Sequence, residues 1–294
     1  MLSIRGLRRR ARLFAAIRGF FDINGFLEVD TPIRQPLLIP EANIIPMGSE
    51  GWFLQSSPEL CMKRLLAAGC ERIFQICHCF RAAERGRIHL EEFVLLEWYR
   101  LDADYLSLMD DCERLLRWIG SRMDWGDDGL SLAGPFDRLT VREAFQQYSP
   151  VSMNQALEED RFDAVLVESI EPNLGRKRPL FLYDYPAQLA TLARLKTDDR
   201  SVAERFELYL QGVELANGFS ELTDPVEQRQ RFTHERRAMA RQGIDMEMPE
   251  RFLDDLKKID TAAGIAFGLD RLLMLILGVE NINHAISFAH HDLS

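Results

Sequence analysis

Glu92-Phe93-Val94-Leu95-Leu96-Glu97-Trp98-Tyr99-Arg100 reads as a strand whose two faces differ in kind. Residues two apart share a face, so Phe93, Leu95, Glu97 and Tyr99 fall on one side and Val94, Leu96 and Trp98 on the other. The second face is wholly apolar and belongs against a core. The first carries a carboxylate and a phenol among its apolar side chains, and a carboxylate is costly to bury unless a cation or donor meets it. Residues 72–81 have the same strand character, and the polar segment from Ala82 to Glu91 joins the two runs into a long antiparallel hairpin.

Towards the N-terminus, a helix is expected from about Pro58 to Ala68, with Pro58 in its first turn and Gly69 past its end. Before it, Gly25-Phe26-Leu27-Glu28-Val29-Asp30-Thr31-Pro32 gives a short strand closed by proline. Residues 7–21 set Leu13, Phe14, Ile17, Phe20 and Phe21 on one helical face, and Asn24-Gly25 stops that helix. Towards the C-terminus a helix spans Tyr105 to Ile119, and a Gly/Asp-rich break at 120–135 opens an insertion at about 120–180. Thr140 with Glu143 forms a capping-box signature, which makes the insertion partly helical. Residues 204–221 read as two strands meeting near Gln211-Gly212, and Gly268-Leu269-Asp270-Arg271 opens an apolar helix through Leu277. Antiparallel strands separated by helices predict an α+β fold, an antiparallel sheet flanked by helices, with residues 1–294 as one domain.

Of the 294 residues, 47% are apolar, enough for a full enzyme core. No run approaches the roughly 18 apolar residues of a membrane span, and Arg5, Arg8, Arg9, Arg10 and Arg12 have no signal core behind them. A cytoplasmic location without membrane association is expected. The five cysteines lie mostly in apolar periodic segments, so reduced thiols are expected. A net charge of -10 argues against gripping nucleic acid chiefly through phosphates. The N-terminal arginines read as a solvated helix face, with a docking patch as the alternative.

Glu207, Glu214, Asn217 and Glu221 sit on the second strand pair in otherwise apolar company. Acids gathered in one sheet repel one another unless they hold a divalent cation or an ammonium group, and oxygen ligands favour magnesium or calcium over zinc. Opposite them stand Arg81, at the start of the hairpin loop, and Arg271, at the start of the last helix. Guanidinium forks and a helix N-terminus both favour phosphate or carboxylate. The pattern predicts a polyphosphate site with magnesium beside a pocket for a cation. Cys77-His78-Cys79 suggests zinc, but strand alternation puts the thiols on one face and the imidazole on the other, and a buried strand is the preferred reading. His290-His291 reads as a mobile tail.

These residues resemble the three motifs of class II aminoacyl-tRNA synthetases. Gly25 to Pro32 resembles motif 1, Phe80-Arg81 with the loop to Phe93 resembles motif 2, and Gly268-Leu269-Asp270-Arg271 resembles motif 3. Ser57-Pro58-Glu59-Leu60 and the segment Phe206-Glu207 through Glu214, Asn217 and Glu221-Leu222 resemble the lysyl branch. The likeness covers a catalytic region with no OB-fold anticodon-binding domain ahead of it, which is similar to the ligases of this branch that modify elongation factor P. Glu171-Pro172-Asn173, Leu96 to Arg100 and Gly264-Ile265-Ala266-Phe267-Gly268 fit that branch too.

The resemblance implies a class II synthetase catalytic fold, a homodimer formed through motif 1, ATP with Mg2+, no stable tRNA binding, and elongation factor P as acceptor of a lysine-like amino acid, (R)-β-lysine over α-lysine. Phe20, Phe21 and Phe26 are compatible with the dimer surface and equally with core packing. A truncated synthetase charging tRNA and a catalytically silent regulatory paralogue are the alternatives. The implied catalytic residues are Arg81, bridging the substrate carboxylate and α-phosphate, and Arg271, on the γ-phosphate. Nucleotide contacts are implied for Arg81, Ala82, Ala83, Glu84, His89, Phe93, Glu207, Leu208, Gly268 and Arg271, with Glu207 and Glu214 on magnesium. Amino-acid contacts are implied for Ser57, Pro58, Glu59, Glu97, Tyr99, Glu214, Asn217, Glu221 and Ala266. At Ala266 the tRNA-charging enzymes carry glycine, and one methyl group in a packed pocket is worth about 1 to 3 kcal/mol of discrimination. The chain departs from the family where Ala82-Ala83 replaces Asn-Glu and where Leu90 replaces an asparagine. Alternation along an extended chain is expected to turn the neighbouring Glu84 away from the nucleotide.

Overall fold

In the computed structural model, which describes residues 1–123, 125 and 131–293, helix α1 runs over Ile4–Ile23. It starts earlier than its apolar stripe because Ser3 caps it, the Ser3 Oγ accepting the Gly6 N–H at 3.1 Å. Strands β1 (Leu27–Glu28), β2 (Arg34–Gln35), β3 (Met47–Ser49) and β4 (Trp52–Leu54) follow, and the last three form a small sheet in the order β2-β4-β3. Pro58 is the N-cap of α2 (Glu59–Ala67) and not a residue of its first turn. The hairpin is β5 (Arg72–Phe80) against β6 (Glu92–Leu101), with pairing from Arg72 opposite Arg100 to Phe80 opposite Glu92.

Helix α3 (Tyr105–Gly120) and β7 (Asp137–Thr140) bracket the Gly/Asp-rich break, much of which lies outside the described residues. The Thr140/Glu143 capping box starts α4 (Val141–Tyr148), with both reciprocal bonds formed. Helices α5 (Met153–Glu158) and α6 (Phe162–Val165) complete the helical stretch before β8 (Leu180–Pro186). Strands β9 (Val202–Leu210) and β10 (Val213–Ser220) meet at Gln211 and Gly212, whose φ angles of 53° and 76° suit a two-residue hairpin turn. Then come α7 (Pro225–Arg241), α8 (Glu250–Leu256), β11 (Ala262–Gly268) and α9 (Leu269–Leu277).

Among the described residues the main sheet has eight strands in the order β1-β5-β6-β11-β10-β9-β8-β7. Its six central strands are antiparallel as expected. Both edge pairings, β1 with β5 and β7 with β8, are parallel, so the sheet is mixed. One face packs on α1, α3 and α9 through Val94, Leu96, Trp98, Leu13, Ile17, Leu108, Leu272 and their neighbours. Phe20, Phe21 and Phe26 belong to this core, with at most 8% of any of them exposed, so none offers a dimer surface. Arg10 also departs from the solvated-face reading. It turns inward to Asp270, whose Oδ1 accepts its Nη1–H at 2.6 Å. The C-terminal histidines are not a loose tail: His290–Asp292 forms a 3-10 turn tied to the Met1 amino group through Asp292. No helix among the described residues is long and apolar enough to cross a membrane.

Candidate active site

The polar face of β6 opens into a cavity of about 600 Å³. Arg81, at the end of β5, and Arg271, in the first turn of α9, line this one cavity. Asp270 sets the second of them in place. Its Oδ2 accepts the Val94 N–H at 2.7 Å and its Oδ1 pairs with Arg10, which fixes the start of α9 against β6. Arg271 is then held by Glu214 Oε2 at 3.0 Å, by the Glu214 carbonyl at 2.9 Å and by His89 Nε2 at 2.8 Å. Burial and the adjoining guanidinium push the His89 imidazole below its ordinary value, so it faces Arg271 as a neutral ring.

Arg81 lies 5.1 Å over the Phe93 ring, and its Nε is buried without a hydrogen-bond partner. An orphaned guanidinium donor in a cavity calls for an anion. The backbone beyond it corrects one expectation. Ala83 has φ of 64°, so the chain is not extended there, alternation does not apply, and Glu84 turns back to line the cavity, 3.7 Å from Arg81. The N–H groups of Arg81, Ala82 and Ala83 are occupied by the Glu91 carbonyl, the Ile45 carbonyl and Glu91 Oε1.

At this end of the cavity Glu207 and Glu214 come together through an irregularity. Strand β10 carries a bulge between Glu214 and Ala216, which breaks strict alternation and lets Glu214 share the cavity face with Asn217. Burial and then Glu214 raise the Glu207 carboxyl. Burial is the largest influence on Glu214 too, but Arg271, Arg205 and Arg81 together outweigh it and hold that carboxyl below the usual range. Arg205, whose side chain shares the face of Glu207, donates to Glu207 Oε1 at 2.7 Å and to Asn217 Oδ1 at 3.2 Å. Tyr209 donates to Glu207 Oε2 at 2.7 Å, and its hydroxyl oxygen lies 3.0 Å from Glu171 Oε1. Burial and these acids push Glu171 up to about 7. The residues fit Mg2+: the donors of Glu207 and Glu214 are oxygens only, and each carboxylate keeps free lone pairs. Among the described residues no three His, Cys, Asp or Glu side chains converge to hold a metal by themselves. Two carboxylates completed by phosphate oxygens is the usual arrangement for magnesium.

The opposite end is a second acidic pole. Glu97 is fully buried and accepts from Ser57 Oγ and Tyr99 OH, each at 2.7 Å. Even so, burial and then Glu59 push it up to about 8. Behind it Lys63, one helical turn beyond Glu59, is 1% exposed and sits between Glu59 Oε1 at 2.5 Å and Glu221 Oε2. Burial dominates at Glu221, which rises to about 8 despite Lys63. Gly264 is required here, because a Cβ would stand 2.2 Å from the Tyr99 ring and 2.4 Å from Glu221 Oε1. Ala266 pairs across the sheet with Glu97 on β6 and Asn217 on β10, so its methyl group contributes to the floor of the cavity.

Several expected residues sit elsewhere. Leu208 points into the core and is fully buried, and Pro58, Ala82, Ala83 and Glu221 do not line the cavity. Lys63 and Arg205 went unread in the sequence, although spacing signals both: i+4 from Glu59 on a helix, and i−2 from Glu207 on a strand. Cys77 and Cys79 share a face with their sulfurs 3.8 Å apart, while His78 lies on the other and meets Glu92 at 3.0 Å.

Residues 4–292 match the class II tRNA synthetases described as D, K and N. Curated relatives named elongation factor P–(R)-β-lysine ligase are similar to the chain. Those of Salmonella gallinarum and Salmonella heidelberg are 38% identical and that of Salmonella arizonae 37%, each alignment covering 97% of this chain and 95% of the relative. With a family match over nearly its whole length and relatives of this similarity, the chain belongs to the class II tRNA synthetases of the D, K and N type.

Proposed function

We propose that the protein uses ATP to activate a lysine-like amino acid, (R)-β-lysine in first place, as its adenylate and transfers the acyl group to a lysine side chain of elongation factor P. The observation that carries this reading is the single cavity that brings Arg81 and Arg271 together with two acidic poles. Arg81 lies in the field of both poles, since it lowers Glu97 on one side and Glu214 on the other. The relatives' names supply the amino acid and the acceptor.

In this reading Arg81 holds the substrate carboxylate beside the α-phosphate and Arg271 takes the γ-phosphate. Phe93 and Glu84 bound the adenine side, and Glu207 and Glu214 hold Mg2+. The metal, when bound, neutralises phosphate charge. A carboxylate oxygen attacks the α-phosphorus, the bond to pyrophosphate breaks, and the chain contributes alignment and charge complementarity without a protein nucleophile. The acceptor amine then attacks the acyl carbon, loses a proton, and AMP leaves. Glu97, Tyr99 and Ser57 face the distant ammonium group, with Lys63 balancing Glu59 and Glu221 from behind. A homodimer through the motif 1 region is part of the proposal, supported by the exposed Ile23, Leu27 and Ile33.

Incubation with ATP, Mg2+, elongation factor P and each lysine isomer, read by intact mass, tests the reading. The expected result is one added acyl group on the acceptor, larger with the β-isomer. Consumption of adenylate that requires tRNA would replace it with tRNA charging. Absence of ATP–pyrophosphate exchange with every amino acid would point to a silent paralogue, a reading favoured by Ala82-Ala83.

A further inference from the structure

Glu41 has no role in the reading above, yet it lines the cavity beside Ser57, Glu59 and Arg81. It stands on the segment between β2 and β3, which is fixed from several sides. The Ala42 N–H donates to Glu235 Oε2 at 2.8 Å, Gln242 Nε2 donates to the Ala42 carbonyl at 3.2 Å, and the Ala82 N–H donates to the Ile45 carbonyl at 2.9 Å. The first two anchors come from α7 and its C-cap, the third from the residue after Arg81. Glu41 is therefore held at the end of the amine pole where Arg81 stands.

The other carboxylates of that pole have partners. Glu59 has Lys63, Glu221 has Lys63, and Glu97 has Ser57 and Tyr99. The Glu41 carboxylate receives no hydrogen bond and no ion pair from any described residue. Burial and then Glu59 push it up to about 7, with Glu235 adding to the rise and Arg81 and Lys63 opposing it. A half-buried acid whose charge lacks a protein partner is poised to receive a cationic ligand. With Lys63 shared between Glu59 and Glu221, Glu97 at one end of the pole and Glu41 at the other are left for two ammonium groups.

We propose that Glu41 is a specificity-determining residue that pairs with the ammonium group nearer the carboxylate of a diamino-acid substrate, an inference that rests on amino-acid activation in this cavity. With the carboxylate on Arg81, an amine one or two carbons away falls on the Arg81 side of the pole, where Glu41 stands. The amine at the far end of the chain reaches Glu97. Glu235 is a positioning residue, acting through the Ala42 N–H.

The test is Glu41→Gln in ATP–pyrophosphate exchange, with α-lysine, β-lysine and 6-aminohexanoic acid, which keeps only the distant amine. The variant should raise KM for the diamino acids by about 10- to 100-fold and leave kcat, the KM for ATP and the KM for 6-aminohexanoic acid nearly unchanged. Glu41→Asp, which keeps the charge, should restore part of the discrimination. An equal loss with all three compounds, or an unchanged KM for the diamino acids, overturns the assignment while the wild type still exchanges. A wild type inert toward every amino acid overturns the function proposed above and this inference with it.

Discussion

Replacing Lys63 by methionine isolates the energetics of the amine pole. The methionine keeps most of the stem that packs near Phe219 and Phe252 and removes only the cation, which lies 5.3 Å and 6.0 Å from those rings. What remains is two carboxylates, Glu59 and Glu221, at 9% and 2% exposure with no other cation among the described residues paired to them. Breaking a buried ion pair from one side costs about 3 to 5 kcal/mol, because the surviving charge is neither solvated nor paired. The sign with pH follows from the proton count. Glu221 is already raised to about 8 from an ordinary 4.5, and without Lys63 it is pushed higher in the folded state only. A carboxyl raised on folding contributes stability that is complete below its unfolded value and is lost as pH rises through its folded value. Urea unfolding of Lys63→Met against wild type, followed by tryptophan fluorescence, should give the full cost of about 3 to 5 kcal/mol near pH 8.5 and about half of it or less at pH 5. A cost that is the same at both values, or below about 1 kcal/mol at the higher one, would refute the description of Lys63 as the charge that keeps these acids buried.

Arg81→Ala should raise the barrier to adenylate formation by on the order of 3 kcal/mol or more, and near-normal ATP–pyrophosphate exchange would remove Arg81 from the mechanism. Ala266→Gly deletes a methyl group from the cavity floor and should shift preference toward α-lysine by about 1 to 3 kcal/mol, read as the ratio of kcat/KM for the two isomers; an unchanged ratio contradicts the role of this position. Gly264→Ala drives a Cβ into Tyr99 and Glu221 and should cost about 1 to 3 kcal/mol of stability together with most amino-acid binding, so full retention of both would show that Tyr99 moves freely. Glu41 and Glu97, raised to about 7 and 8, must release protons to pair with ammonium groups. The KM for a diamino acid should therefore fall as pH rises from 6 to 8, and calorimetric heats should depend on the ionisation enthalpy of the buffer; a flat profile speaks against ionic recognition.

The strand at Glu92 was legible because its two faces obey simple alternation, and the capping box at Thr140 because its signal is local. The gathering of Arg81 and Arg271 was legible because each closes a motif whose neighbours set its position, as Asp270 does for α9. Other features depend on contacts that no local pattern carries. The β10 bulge brings Glu214 onto the face of Asn217 against strict periodicity, and the left-handed Ala83 returns Glu84 to the cavity. Phe20, Phe21 and Phe26 form an apolar group whether they face a core or a partner, and only the packing of α1 on Phe74 and Trp98 decides it. Strand β11 and helices α7 and α8 were not read at all, although α7 carries the Glu235 that anchors the segment of Glu41.

The division of charge in the cavity explains how one site can hold a triphosphate and a dication together. Lys63 is buried behind the amine pole, 2% exposed, and Arg205, 14% exposed at its side chain, lines the cavity beside Glu207. Both lower the cost of gathering the acids. Had they neutralised the acids fully, Glu41, Glu97, Glu171 and Glu221 would not stand at about 7 to 8. The remaining imbalance is a stored preference. Norleucine, which keeps only the ammonium group nearer the carboxylate, leaves Glu97 protonated at the far end of the pole and gains only apolar contact there. A diamino acid offers a second ammonium group, which pairs with Glu97 inside a low-dielectric cavity. That contact is worth about 1.5 to 3 kcal/mol, so exchange with norleucine should be about 10- to 100-fold weaker in kcat/KM than with the preferred lysine isomer. Comparable exchange with norleucine would mean that the acids shape the cavity without reading charge.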